Sequence, residues 1–387
     1  MDAAEVLQIV ACGEDSHRQF KQDVTNAASL AAEMVALANS GGGQIFIGVT
    51  DGGAIHPHDP ANVRRLNQLI ANSASTSVQP PINPLTENVG IAAGVVIVVS
   101  IPDGLSKPYM DNNGAIWVKS GSDKRKVTAR EEMQRMFQSA QLIHGDDVPV
   151  AGTSSADIDL YYFREFFKMR FDRDLDEINL SLDQVLSNMR LLSDGKLTVA
   201  GVLLFTKTDR LILPVCHVKA AWYQGNEITS SVYIDSQDIS GRMETQFEKA
   251  LGFLLRGLHR LQNGQSVNST GQLEIPRMAV EELLANAFLH RDYFVSAPIR
   301  IFLFDDRLEI ISPGHLPNDL TIANIRSGNS NIRNPILTSH ATKILPYRGL
   351  GTGILRALKE YPSIEFLDDR EGNLFRVTIK RRPLKLT

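Results

Sequence analysis

Between residues 276 and 293, apolar side chains recur at Ala279, Val280, Leu283, Leu284, Ala287 and Phe288. That spacing draws one stripe along a helix, and Pro276 suits the first helical position. The same reading predicts helices over residues 26–39, 63–75, 129–141, 180–192 and 242–261. The first is alanine-rich and stops at Ser40-Gly-Gly-Gly43. Thr128 is expected to cap the third, with Glu131 and Glu132 in its first turn. Runs rich in β-branched and aromatic residues predict strands at 44–49, 95–101, 116–119, 197–205, 218–223, 230–234, 299–304 and 308–311. The small, polar, proline-containing stretch at 144–157 reads as a linker. Together these elements describe an α/β (α+β) chain. It has an α/β domain at 1–142, a linker at 143–157, a central α/β region at 158–270 and a C-terminal module at 271–387.

Two polar residues interrupt the 276–293 stripe. Glu282 and Asn286 stand four residues apart, so they share one side of the helix, a turn from each other. A carboxamide oxygen suits Mg²⁺, and a carboxylate one turn away can orient an attacking water. Most such pairs simply face solvent. Further along, Gly349, Gly351 and Gly353 alternate and lead into a helical pattern of Ile354, Leu355, Ala357 and Leu358. Glycine lets a backbone approach an anion closely, and a helix start offers it free N–H groups. No Lys-Ser or Lys-Thr pair follows the last glycine, so this is not a Walker loop, and DNA unwinding has no visible motor. By themselves the glycines also read as a tight turn.

Taken in order, these segments resemble the GHKL (Bergerat-type) ATPase module in its divergent form, found in RecG-like and transcriptional-regulator-like bacterial proteins. The helix matches Glu-x-x-x-Asn-Ala-x-x-His-Arg-Asp-Tyr from Glu282 to Tyr293. A Pro-Gly-x-Leu-Pro turn follows from Pro313 to Pro317, then Arg333-Asn334-Pro335, then Gly-x-Gly-x-Gly-Ile from Gly349 to Ile354. The resemblance implies a Bergerat-type α/β sandwich that binds ATP and Mg²⁺. It places Asn286 on the metal and Glu282 as general base of a slow hydrolysis. Gly349, Gly351 and Gly353 fall beside the phosphates, Ser312 and Gly314 near the base, and residues 318–348 form a lid. The wider group reads the adenine amino group with an Asp where this chain has Ser312; a serine makes a neutral, weaker bond. His315 replaces a second glycine of the turn and reads as a surface residue.

The N-terminal third carries Gly13-Glu-Asp-Ser-His-Arg-Gln-Phe-Lys21, Ala38-Asn-Ser-Gly-Gly-Gly43 and Ile45-Phe-Ile-Gly-Val-Thr-Asp51. These resemble the Schlafen-type AlbA domain over residues 10–140, which implies nucleic-acid binding. Some members cut RNA with two glutamates and an aspartate, whose positions here are Glu14, Gln19 and Asp51. Carboxylates hold divalent ions for phosphodiester cleavage, so Glu14 and Asp51 are candidate metal ligands. Gln19 lowers the charge that would draw the metal in. Lys21, Lys119, Lys124, Arg125 and Lys126 are the candidate phosphate contacts.

Composition narrows the field without deciding it. Over residues 1–140 there are 11 Lys+Arg against 14 Asp+Glu, and the whole chain of 387 residues carries a net charge of −4. Nucleic acid, DNA or RNA, must therefore meet a local basic patch, which a homodimer would double. No apolar run reaches the length needed to span a bilayer. The start, Met1-Asp-Ala-Ala-Glu5, lacks a signal-peptide pattern, and two separated cysteines give no disulfide framework, so a cytoplasmic protein is expected. The function expected is an ATP-binding regulatory protein whose nucleotide state modulates DNA or RNA binding. The alternatives are a Schlafen-like metal-dependent nuclease and a catalytically inactive scaffold.

Overall fold

The computed structural model describes residues 1–91, 94–140, 142–207, 212–228, 232–261, 271–317, 320–349 and 351–381. The chain divides into two units, Met1–Leu142 and Ile143–Thr387.

In the first unit, strand Gly43–Ile47 lies inside a four-stranded sheet, between Arg18–Lys21 and Gly94–Ile101, with Leu85–Ile91 beyond. Its period of two sends Ile45 and Ile47 to one face and Phe46 to the other. Ile45 and Ile47 join Ile97 and Val99 against the helix Ala27–Asn39. Phe46 meets Phe20 edge-on at 5.8 Å, in a core shared with Val6 and Val10 of the helix Ala3–Ala11. Both faces are covered, so the strand reads as an unbroken apolar run. Arg18–Lys21 pairs parallel with Gly43–Ile47, which requires a crossover, and the buried helix Ala27–Asn39 supplies it. Gly42 stops that helix at φ +80°, where a Cβ would lie 2.7 Å from the Asp103 nitrogen. Ala3–Ala11 and Arg18–Lys21 were not expected from the sequence; the strand is only four residues long and half of it is charged.

The second unit rests on a mixed six-stranded sheet. Its order is Tyr233–Ile239, Val218–Tyr223, Ile299–Leu303, Arg307–Pro313, Leu374–Lys380 and Ile364–Asp369. Val218–Tyr223 and Ile299–Leu303 are parallel, and the chain between them forms the helices Met243–Gly257 and Arg277–Leu289. Strands from before and after residue 270 thus share one sheet and one core. The expected separation of a central region, 158–270, from a C-terminal module is not a division of the fold. Residues 262–270 lie outside the described residues.

Three other expectations change. Residues 197–205 form a short helix, Val199–Phe205, instead of a strand. Every residue of it is buried, so its composition mimics a strand, while Thr198 accepts the Gly201 N–H as an N-cap. The polar stretch at 144–157 is packed, not merely connecting. Asp146 is fully buried and accepts from Ile336 N (2.8 Å) and Leu337 N (2.9 Å), satisfying the start of the helix Pro335–Ala341. Of the strand expected at 230–234, residues 230–231 lie outside the described residues, and the strand runs Tyr233–Ile239. Among the described residues no helix is long and apolar enough to cross a membrane.

Candidate functional site

Helix Arg277–Leu289 is buried on nearly all sides, and its solvent face is marked by the Arg277–Glu281 ion pair at 2.6 Å. Its last carbonyls need partners, as at any helix end. Asn334 donates to the Leu289 and Arg291 carbonyls (2.9 and 2.8 Å), and Arg333 donates to His290 O (3.1 Å) and His315 O (2.6 Å). The Arg-Asn-Pro segment is therefore a cap for this helix. His-Arg-Asp-Tyr has a similar task. Arg291 is fully buried and donates to the carbonyls of Val295 (3.1 Å) and Ala297 (2.5 Å), while the Tyr293 hydroxyl donates to Phe288 O (3.0 Å). Burial, helped by Arg333, pushes the His290 imidazole down to about 4.

Beside this braced helix lies a cleft with an apolar floor that includes Leu283, Ile310, Phe366 and Val377. Asn286, Ser312 and Gly314 line it, as do Gly349, Gly351 and Gly353. The glycine loop comes very close to the helix. A Cβ on Gly353 would sit 2.4 Å from Glu282 Oε2 and 3.5 Å from Asn286 Nδ2. Residues 320–349 wall the cleft with Leu320, Ile325, Asn329, Ser330, Asn331 and Tyr347. Asn318 falls outside the described residues. His315, expected at the surface, is half-buried and lines the cleft. Ser312 is buried and donates its hydroxyl proton to Ala287 O at 2.9 Å. Only lone pairs remain on its oxygen for a ligand.

Glu282 lies behind Gly353 instead of on the cleft wall. Its side chain is 4% exposed, and Oε1 is paired with Arg356 Nη2 at 2.5 Å. Oε2 is buried without a partner. Burial raises the carboxyl above its ordinary range, against the opposing pull of Arg356 and Arg348. Arg356 was not among the residues singled out from sequence. It stands one helical turn after Gly353, which is the only sequence signal that links it to the loop.

The N-terminal candidates form a different cluster. Glu14 Oε1 accepts from Gln19 Nε2 (2.5 Å) and Phe20 N (2.6 Å), while Gln19 Oε1 accepts from Lys119 Nζ at 2.7 Å. Glu33, buried on helix Ala27–Asn39, takes Lys124 at 2.6 Å and Lys21 at 3.8 Å. Burial lowers the Lys119 ammonium, though Glu33 and Glu14 oppose that shift. Strands Trp117–Ser120 and Asp123–Lys126 pair with Lys119 opposite Lys124 and Val118 opposite Arg125. Alternation therefore parts Arg125 from the two lysines. It makes a two-pronged ion pair with Glu132 at 2.9 and 2.6 Å. Lys126 is exposed. Asp51 is exposed on the turn after strand Gly43–Ile47. Among the described residues, no group of three or more His, Cys, Asp or Glu side chains is placed to hold a metal ion. Glu14 and Asp51 thus make no such group.

Residues 14–128 match the family model for "Schlafen, AlbA_2", and residues 296–379 match the one described as "Putative ATP-dependent DNA helicase recG C-terminal". The chain carries both modules in that order; the second match begins after Asn286. No curated protein matches the chain. Among solved structures, the DIP2311 protein from Corynebacterium diphtheriae is 21% identical with a TM-score of 0.48, covering 98% of this chain and 80% of its own. The N-terminal domain of a RecG-related protein from Nitrosomonas europaea is 20% identical with a TM-score of 0.23, covering 34% of this chain and 96% of its own.

Proposed function

We propose that this chain is an ATP-binding regulatory protein whose nucleotide state alters the grip of its N-terminal unit on DNA or RNA. One observation carries the nucleotide half. The alternating glycines and Asn286 line one cleft, and Gly353 lies so close to Glu282 that any side chain there would collide with the carboxylate. Backbone kept bare beside polar groups, at the start of a helix, suits the close approach of phosphate oxygens. Ser312 supports adenine as the base. Its hydroxyl proton is committed to Ala287 O, so the oxygen accepts from an amino group and cannot donate to a carbonyl at the same place.

The residues fit a magnesium-bound triphosphate, because the Asn286 carboxamide lines the cleft with the three glycines and the unpartnered Glu282 Oε2 lies against Gly353. Asn286 would hold the ion, which when bound neutralises phosphate charge. Slow hydrolysis follows from Glu282 acting as base. A water oxygen attacks the γ-phosphorus, the bond to the β–γ bridging oxygen breaks, and the water proton passes to the carboxylate. ADP and phosphate leave. In the N-terminal unit, Arg125 and Lys126 are the exposed phosphate contacts, and Lys21, Lys119 and Lys124 are half-buried. Gln19, held between Glu14 and Lys119, speaks against the nuclease alternative.

Calorimetric titration tests the reading. ATP with Mg²⁺ is expected to bind saturably, Asn286→Ala to lose the magnesium-dependent part, and Glu282→Ala to keep binding but lose turnover. Absence of heat and of any thermal shift at millimolar ATP would end it. For the nucleic-acid half, the anisotropy of labelled single-stranded and duplex oligonucleotides should shift between ATP-loaded and nucleotide-free protein. Identical binding curves would rule out the coupling.

A further inference from the structure

We infer that Arg356 is a phosphate-responsive latch on Glu282: it holds the carboxylate when nucleotide is absent and transfers to the terminal phosphate of a triphosphate. This rests on the nucleotide reading of the cleft. Three observations place the residue between two partners. Its guanidinium is 2.5 Å from Glu282 Oε1, with the carboxylate almost wholly buried. Arg356 also lines the cleft together with Gly349, Gly351 and Gly353. It is rooted in the helix Gly353–Glu360, which begins at the glycine loop, and its backbone N–H donates to Thr352 O at 3.0 Å. One turn therefore separates the guanidinium from the bare backbone proposed to meet phosphate.

The pair is unfinished on both sides. Glu282 Oε2 and Arg356 Nε are each buried without a hydrogen-bond partner, so the contact uses one oxygen and one terminal nitrogen. A guanidinium bound through a single prong has donors left over, and a phosphate presents the planar, doubly accepting edge it prefers. A γ-phosphate carries more negative charge than one carboxylate, so it competes well for Arg356. Its departure leaves Glu282 buried and unpaired beside the loop, a stronger base than before. The apo ion pair must then be broken by each incoming triphosphate, which weakens ATP binding. ADP lacks the phosphate that competes and leaves the latch closed.

Titration of ATP and ADP into five proteins tests this. Wild type should prefer ATP modestly. Arg356→Ala should weaken ATP about tenfold or more, as loss of a charge-assisted contact does, and change ADP less than twofold. Arg356→Lys should restore part of the ATP preference. Glu282→Gln removes the competitor and should tighten ATP several-fold, and that gain should vanish in the Arg356→Ala, Glu282→Gln double variant. Equal weakening of both nucleotides by Arg356→Ala would mean a purely structural ion pair and overturn the latch. So would a gain from Glu282→Gln that survives without Arg356, since simple repulsion between carboxylate and phosphate would explain it. If wild type binds neither nucleotide, the reading of the cleft fails first, a result distinct from either.

Discussion

Glu14 and Glu282 invite comparison, since each is a carboxylate on a module tied to nucleic-acid or nucleotide chemistry. In the N-terminal unit Glu14 Oε1 is held by Gln19 and Phe20, Gln19 is held in turn by Lys119, and Arg125 is closed on Glu132. In the C-terminal unit Glu282 keeps a bare oxygen facing a loop without a side chain. A ligand arriving at the first cluster must break bonds already made. At the second it has one ion pair to part, that of Glu282 with Arg356, and it meets Glu282 Oε2 and Arg356 Nε without partners. Glu33 Oε2 is also unpartnered, but Lys124 and Lys21 crowd the other oxygen of that carboxylate. Open polar groups sit more easily in a cleft whose frame is firmly held. Arg333, Asn334 and Asp146 provide that frame by capping two helices. The difference predicts that the C-terminal unit draws stability from buried polar contacts and the N-terminal unit from apolar burial and surface pairs.

The largest test of that contrast is Arg381. Its side chain and that of Glu274 are each 1% exposed and joined at 2.7 Å, with further bonds to Phe304 O (2.6 Å) and Gly257 O (3.0 Å). Arg381→Ala strands a buried carboxylate and should cost about 3–5 kcal/mol. The chain has two tryptophans, Trp117 in the first unit and Trp222 in the second, so Trp117→Phe leaves a reporter of the second unit alone. Its urea midpoint should fall sharply in Arg381→Ala. An unchanged midpoint would show that the buried pair contributes nothing.

Acid should act next, again through the second unit. Burial pushes His290 and His340 down to about 4, below the 6.5 of an unfolded chain. Between those values the unfolded state binds more protons, so this stability is present above pH 6.5 and is lost as pH falls through 4. Each imidazole contributes on the order of 3 kcal/mol. Asp146 opposes them. Its pKa is raised to about 6 by burial, so its contribution is full below 3.8 and is lost as pH rises through 6. Two groups against one leaves a net acid loss on the order of 3 kcal/mol. The Trp222 transition should move to lower urea between pH 7 and 4.5. A flat midpoint over that range would contradict the burial of both rings.

Gly353→Ala aims at the cleft itself. Its Cβ meets Glu282 Oε2 at 2.4 Å, and relieving such an overlap costs about 1–3 kcal/mol. ATP binding should weaken about 10- to 100-fold by calorimetry. An affinity within twofold of wild type would show that the loop has room to spare and that the bare backbone is incidental.

Much of this cleft was legible in the chain, for physical reasons that differ by element. The helix Arg277–Leu289 showed itself through spacing, because a 3.6-residue period survives nearly complete burial. The glycines announced a close approach, and Gly353 makes one with Glu282. Their partner Arg356 stayed hidden, since an ion pair between distant segments leaves no local pattern. Gln19 and Lys119 are hidden in the same way, and the basic run at 117–126 read as one patch although strand alternation sends Arg125 away from Lys119 and Lys124. Val199–Phe205 misled for the opposite reason: a helix buried on every side has no polar face to reveal its period. Asp146 looked like linker because a capping aspartate and a solvated one are the same letter.

Arg125 carries the smallest prediction and returns to the first unit. It meets Glu132 through two bonds, yet its side chain is 49% exposed and that of Glu132 is 28% exposed. Water and salt screen such a pair, and ordering two long side chains offsets much of the attraction, so it stabilises the fold little. Arg125→Ala should therefore leave the unfolding of the first unit, read by Trp117 in a Trp222→Phe background, almost where it was. The same change removes one of the two exposed cations proposed to meet phosphate. Oligonucleotide affinity should fall a few-fold, and the slope of log affinity against log salt should shrink by about one. Glu132→Gln frees Arg125 and should shift binding in the opposite direction. If Arg125→Ala instead unfolds the unit, the pair is structural and the contrast between closed surface charges and buried ones is wrong. If stability and affinity both stay put, the hairpin is not where nucleic acid binds.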